Sequence, residues 1–362
     1  MQSEWGHKLH ITVFGASHAP KLGVTITGLP AGLAVDQSTL QSFLNRRAPG
    51  SGVGKTARKE PDLVQFLSGL VNGATTGEPL TAVIENKDVD SRPYADYRDV
   101  PRPSHMDYPA RLRFGEDVDL SGGGHFSGRM TAAYCIAGGI AMQQLEKIGV
   151  RIAAHLLSVG NAFDEPFDPV DPDPVRLNAV KNKPFPVLND ARGLLMQDAI
   201  RQASENGDSL GGRIECIATG FPAGRGTPLF AGVDSRLAEL LFAVPAVRGV
   251  SFGSGFDAAE MSGSAHNDPY CLKDGTVRTE TNHHGGILGG ITTGMPIVFT
   301  VAVKPASGIS IPQKTLNVKT GAQEVLIIRG RHDACIAVRA VPVIEAVAAL
   351  ALYDILLEET AC

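Results

Sequence analysis

Apolar residues recur along the chain with two periods. Residues 297–303, IVFTVAV, are apolar and β-branched almost without a break, which predicts a strand covered on both faces. Residues 10–14, 24–26, 63–70 and 80–85 predict further short strands, and residues 325–328 predict another, buried one. The helical period begins behind Asp36, a predicted N-cap, where Leu40, Phe43 and Leu44 share one face before the helix ends in Arg46 and Arg47. Residues 131–148, 191–206 and 233–242 repeat that period. Residues 342–357 are apolar on nearly every side, so they must be core or a subunit interface. Residues 161–186 break the pattern with closely spaced prolines and aspartates and predict a surface loop. Strand, helix and glycine turn occur on both sides of that insertion. The chain therefore reads as one mixed α and β unit, residues 1–362, with a hint of two similar halves.

Composition narrows the class. With 362 residues, 43% apolar and 20% charged, and a mean hydropathy near zero, the chain has material for a large core. Its net charge of −5 argues against nucleic acid or an acidic membrane surface as partner, and for small molecules. The first residues lack the basic and apolar segments of a signal peptide, and no later run is apolar throughout a membrane span, so a cytoplasmic protein is expected. The 5 cysteines stand singly without CxxC spacing, which predicts reduced thiols and no metal centre. Glycine is in excess: 41 residues, above the usual share of about 7%, clustered at 122–124, 211–212, 249–255 and 285–294.

Those clusters frame the candidate chemistry. In residues 281–308, His283 and His284 and two glycine pairs precede the strand, while Lys304, Pro305, Ala306, Ser307 and Gly308 follow it. A cation and a hydroxyl on a fixed turn at a strand end suit a phosphorylated ligand; the bland alternative is that the glycines only make hairpins. Ser17 and His18 follow the strand at residues 10–14. Neighbours on a strand point to opposite sides, so His18 is read as an acid and Ser17 as a ligand hydrogen bond, rather than as a nucleophile and its base. Arg46, Arg47, Lys55 and Arg58 surround glycines in a loop that can close over an anion. The run GVGKT is not a P-loop, because Pro49 stands where the first glycine belongs. Two prolines stiffen the approach to His105. Three glycines before His125, Phe126, Ser127 and Arg129 lie against the predicted helix start at Thr131, where free N–H groups favour an anion. Arg331, His332 and Asp333 sit past the end of the last strand.

Ten stretches, from FGASHAPKLGVTITGLPAG through RRAPG, SGL with TTGEPL, RPSHMDYP, GGGHFSGRMTA, GDSLGG, AVRGVSFGSGF, NHHGGILGGITTG and KPASGI to GRHDACIAVRAVPVIEA, resemble chorismate synthases in order and over nearly the whole chain. The resemblance implies an α+β, β-α-β sandwich with internally related halves, helices packed between antiparallel sheets, and assembly as a homotetramer. It implies a lyase that converts 5-enolpyruvylshikimate 3-phosphate to chorismate and phosphate by 1,4-anti elimination, using reduced FMN without net redox change. By the same resemblance His18, His105, Asp333, Ser17 and Ser127 are catalytic, with the division of labour between the two histidines left open. FMN is expected on His125, Phe126, Ser127, Pro245, Ala246, Gly289, the turn from Lys304 to Gly308, and Arg331. Arg46, Arg47, Arg129 and Arg339 are the expected cations for substrate phosphate or NADPH.

Four departures from the family pattern stand out: Ala16 replaces a glutamate, Ser104 and Met106 flank His105 where RPGHAD is usual, Val53 replaces a second basic residue, and His125 replaces the arginine of RSS. The residues leave two other classes to weigh. A flavin-binding reductase would use the glycines but leave the histidines idle. A metal-dependent hydrolase would need HxH or HExxH spacing, which is absent from the sequence.

Overall fold

The structure, a computed structural model, describes residues 2–48, 61–87, 97–328 and 333–359. Two five-stranded sheets, antiparallel throughout, form the outer layers. The first runs Gln2–Trp5, His10–Gly15, Lys21–Thr27, Leu80–Glu85, Val64–Ser68; the second runs Val247–Phe252, Ile297–Val303, Gly212–Thr219, Arg151–Val159, Ala162–Phe163. Between them lie the helices Gln37–Arg47, Thr131–Lys147, Val233–Ala243 and Ala337–Glu359. The strand Ile297–Val303 has the bounds its pattern predicts, and Asp36 caps its helix by accepting the N–H groups of Ser38 and Thr39. The expected α+β sandwich, with helices between antiparallel sheets, is the architecture found.

Helix Ala337–Glu359 is long and apolar enough to cross a membrane, with a mean hydropathy of 2.0 over its most apolar 18 residues, yet it lies buried between the sheets. Its two fully buried acids fasten both layers to it. Asp354 Oδ1 accepts the N–H groups of Lys8 and Leu9 at 2.8 and 2.7 Å, beside the first sheet. Glu345 Oε1 accepts the N–H of Ala154, in the second sheet, at 2.9 Å. Every oxygen buried there has a donor, which is what makes a carboxylate tolerable in an apolar layer. Close approach is set by Gly138: a Cβ there would stand 2.3 Å from the carbonyl oxygen of Ala346, so only glycine lets the two central helices touch backbone to backbone.

Four expectations need correction. Residues 161–186 are not surface loop throughout: Asp173 caps a helix, Pro174–Lys181, and Phe167, Leu177 and Val180 are buried on the outer face of the second sheet with Ala153, Ile217 and Val298. Proline at a helix start and sparse apolar residues hid that packing. The strand at 325–328 is instead Gln323–Leu326, in an exposed hairpin with Gln313–Leu316, where Val325 is 66% exposed. The glycines at 122–124 do not abut the helix at Thr131, because Ser127 and the short turn Gly128–Met130 intervene. Finally, the strand before Ser17 ends at Gly15, so strand alternation does not govern Ser17 and His18.

Candidate functional site

Beyond Gly15 the chain turns through residues 16–19. Asn86 clamps that turn, its Nδ2 donating to the carbonyls of Ala16 and Ala19 at 3.1 and 2.7 Å. An arch of glycines covers it: Ser17 N donates to Gly124 O at 3.1 Å, and a Cβ on Gly122 would stand 1.9 Å from the His18 ring. Ser17 Oγ donates to the Ser121 carbonyl at 2.9 Å and lies 3.1 Å from His18 Nδ1. With its single proton committed to Ser121, Ser17 accepts from His18 Nδ1–H. Ser17 and His18 are thus paired, contrary to the strand argument, but in the sense that orients the imidazole rather than activates the serine.

Asn86 Oδ1 also accepts from Arg129 Nε at 3.0 Å, and from there a chain of buried charge crosses the molecule. Asp62, fully buried, takes Arg129 on one oxygen and Arg47 on the other. Burial alone would raise the Asp62 carboxyl, but the guanidinium groups of Arg47 and Arg129 outweigh it and hold it below the usual range. Arg339 Nε donates to the Arg47 carbonyl at 3.1 Å and its Nη1 meets Asp333 Oδ2 at 2.9 Å. Among the described residues no hydrogen-bond partner reaches Asp333 Oδ1, although it is buried.

His105 is held from two sides. Its Nδ1 lies 2.7 Å from Asp107 Oδ1, and Asp107 receives Arg102 Nε and Nη2 at 2.7 Å each. The residue before it, Ser104, has φ 56°, a left-handed conformation that glycine adopts more easily, and its carbonyl accepts from Lys304 Nζ at 2.6 Å. Lys304 N in turn donates to the carbonyl of Ala246, itself at φ 75°. Ser209 Oγ holds the Ala306 carbonyl at 2.7 Å, and Leu210 N holds that of Ala334 at 2.8 Å, so the segment at 207–212 ties the lysine turn to the neighbour of Asp333. Desolvation, and then the charge of Arg248, lower the pKa of Lys304. A cavity of about 280 Å³ touches Asp107, Arg102 and Ser121, so the supports of the two histidines border one space.

Other expected residues are placed differently. Arg46 pairs with Glu345, with oxygens at 2.5 and 3.0 Å, and Arg47 and Arg129 both pair with Asp62, so each of these three expected cations already has an acid beside it. Ser127 accepts the N–H of Arg129 at 3.3 Å. His125 turns to the first sheet, touching Ser3 Oγ and the Gly15 carbonyl, and Phe126 packs against Phe114. Gly289 and Gly290 form the tip of a hairpin, Ile287–Leu288 with Ile291–Thr292, both at positive φ. Gly285 and Gly286 lie against the start of strand Ile297–Val303, and Lys304 leaves its end. Its 7 residues at about 3.3 Å each put about 23 Å between the two. Pro245, Pro305, Ser307 and Gly308 lie on the turns at the lysine end. Arg331, with Lys55 and Arg58, falls outside the described residues. A larger cavity, of about 490 Å³, lies off this centre beside Arg46, Lys181 and Pro342. Sequence reading passed over Asp62, Asn86, Arg102, Asp107, Ser209, Arg248 and Glu345. Arg102, Asp107, Ser209, Arg248 and Glu345 lie within the stretches that carry the family resemblance, whereas Asp62 and Asn86 stood only at the edges of charged runs.

The donor set fits an anionic, flat cofactor. Lys304 and Arg248 both lie at this end of the second sheet, where Val247 pairs with Val303, and two cations there suit a phosphate group; Asp333 Oδ1, which no described residue reaches, offers an acceptor for a ring N–H. Two histidines with fixed ring nitrogens, a buried acid and a cationic strand end, carried by a two-sheet sandwich, define an acid–base enzyme for an anionic ligand.

The comparisons with known proteins narrow this further. The family described as chorismate synthase matches residues 9–357. The chain is 44% identical to chorismate synthase of Pyrococcus abyssi, over 97% of each chain, and 43% identical to that of Lancefieldella parvula, over 98% of this chain and 96% of the relative. A crystal structure of chorismate synthase superposes with a TM-score of 0.76 at 26% identity, covering 98% of this chain and 93% of the other. The chain belongs to the chorismate synthase family, and it is a lyase of the shikimate pathway, in aromatic amino acid biosynthesis.

Proposed function

We propose that His18, His105 and Asp333 carry the elimination that turns 5-enolpyruvylshikimate 3-phosphate into chorismate and phosphate. The observation that carries this reading is the continuous chain from the His18 turn through Asn86, Arg129, Asp62, Arg47 and Arg339 to Asp333, which fixes an acid and a proton acceptor relative to one another. His18, with Nδ1 given to Ser17, protonates the departing phosphate from Nε2. His105 stands on the cofactor side, because Lys304 of the phosphate-binding turn holds its loop. Asp333 Oδ1, the acceptor for the cofactor's ring N–H, assists uptake of the proton that leaves C6. Lys304 and Arg248 are the residues that would bind the phosphate of FMN, with Ser307 and Gly308 on the same turn. Reduced FMN, when bound, supplies electron density that assists loss of the allylic phosphate without net redox change.

The enzyme is proposed to work in the cytoplasm as a homotetramer. Unpaired thiols at Cys135, Cys216, Cys271 and Cys335 support the first, and large exposed side chains at Leu229, Phe230 and Phe256 support the second. The test is an anaerobic assay with chemically reduced FMN far below substrate, following phosphate release and chorismate absorbance. Many turnovers per flavin, and none with oxidised FMN, are expected. Flavin oxidised in step with product would favour a reductase instead.

A further inference from the structure

We infer that Asp107 is the positioning residue of His105: it fixes the ring with its hydrogen on Nδ1 and leaves Nε2 as the nitrogen available to the ligand. Each Asp107 oxygen has two donors. Oδ1 takes His105 Nδ1 and Arg102 Nη2, both at 2.7 Å; Oδ2 takes Arg102 Nε at 2.7 Å and the Arg102 backbone N–H at 3.1 Å. Four donors on a buried carboxylate fill its lone pairs, so it can only accept, and the ring nitrogen facing it must carry hydrogen. Arg102 is itself locked, buried with its guanidinium over the Tyr97 ring at 4.9 Å. The Ser104 carbonyl, fixed by Lys304, stops the loop from rotating the ring away. Burial would raise the Asp107 carboxyl, but hydrogen bonds from Arg102 and then His105 hold it well below the usual carboxylate range, in keeping with an ionised acceptor. The charged groups around this pair are Arg102 on its own loop, Lys304 from the strand end, and Arg98, Arg111, Glu116, Asp117 and Asp119, which line the cavity beside Asp107.

The inference rests on the functional reading above only for its effect on rate; the tautomer is a property of the flavin-free protein. Asparagine at this position discriminates. Either orientation of the amide loses a contact to Arg102, but an amide nitrogen at the Oδ2 place would face two Arg102 donors, whereas at the Oδ1 place it faces only Nη2 and a ring that can switch tautomer, so it would fall there and donate to His105 Nδ1. The ring would then move its hydrogen to Nε2.

The experiment is nitrogen NMR of histidine-labelled, flavin-free protein at mildly alkaline pH, with His105 assigned by loss of its signals in His105→Gln. Nδ1–H is expected in the native protein and Nε2–H in Asp107→Asn. Turnover of the variant should fall about 10²-fold with KM nearly unchanged. A native ring protonated on Nε2 overturns the inference, and the native spectrum decides this whether or not the variant folds. A folded Asp107→Asn protein with undiminished turnover also overturns it. A native protein that shows Nδ1–H yet forms no chorismate supports the inference and sinks the functional reading instead.

Discussion

Replacing Asp62 with asparagine removes the carboxylate that Arg47 and Arg129 share, and its cost can be worked from the geometry. Asp62 is fully buried, and its two arginines are 3% and 7% exposed. The asparagine oxygen can serve one guanidinium, but its amide must then point donors at the other. Breaking a buried pair from one side costs about 3–5 kcal/mol, because the charge left behind is out of solvent and has lost its counter-charge. For 362 residues, an unfolding entropy of about 2.1 cal/mol/K per residue gives about 0.76 kcal/mol/K, so a loss of 4 kcal/mol lowers Tm by about 5 °C. The gap should also depend on pH. Asp62 has a depressed pKa, so its contribution is present above the ordinary carboxylate range, near pH 4, and is lost as pH falls through the folded value. Denaturant unfolding of both proteins at neutral pH and at progressively lower pH is the assay. The native protein should converge on Asp62→Asn as pH falls. A difference under about 1 kcal/mol at neutral pH, or one that persists unchanged in acid, would refute the reasoning.

Three further outcomes are expected. His18→Ala should lower turnover about 10²-fold while FMN still binds, measured by single-turnover kinetics beside a flavin titration; near-full activity would remove His18 from the mechanism. Lys304→Met should weaken FMN binding by roughly tenfold, and the loss should shrink at high salt, since one charge-assisted contact is worth about 1.5–3 kcal/mol; unchanged affinity would place the cofactor phosphate elsewhere. Ser104→Gly should stabilise the fold by about 1 kcal/mol by relieving the left-handed conformation, read from denaturant midpoints at constant m-value; a destabilised variant would show that the serine side chain earns its place.

Local chemistry made much of the fold legible. The β-branched run at Ile297–Val303, the Asp36 cap and the unbroken apolarity of the last helix are signals carried by neighbouring residues, and each matched an element. The misreadings have the opposite character. Arg46 gave no sign of its acid partner, because Glu345 lies 299 residues away. Asp62 sat unremarked at the end of a charged run, although it is the centre of the buried network. Two glycine pairs and a lysine turn looked like one site because they are close in sequence, but an intervening strand holds them at its opposite ends. The Ser17 and His18 argument used a sound rule one residue past the point where the strand stops. Pattern fixes what a segment becomes; which segments meet is decided by closure of the whole sandwich.

The acids of the central helix tie that closure to parts of the chain far apart in sequence. Asp354 reaches Lys8 and Leu9 across 346 and 345 residues. Bringing such ends together costs about 5 kcal/mol of chain entropy by (3/2)RT ln n, returned only when the contacts form. Until then a 23-residue helix of membrane-like apolarity has no sheet to cover it. A chain that has not closed the sandwich leaves that apolar surface open to other chains, so covering it guards against aggregation as well as stabilising the fold.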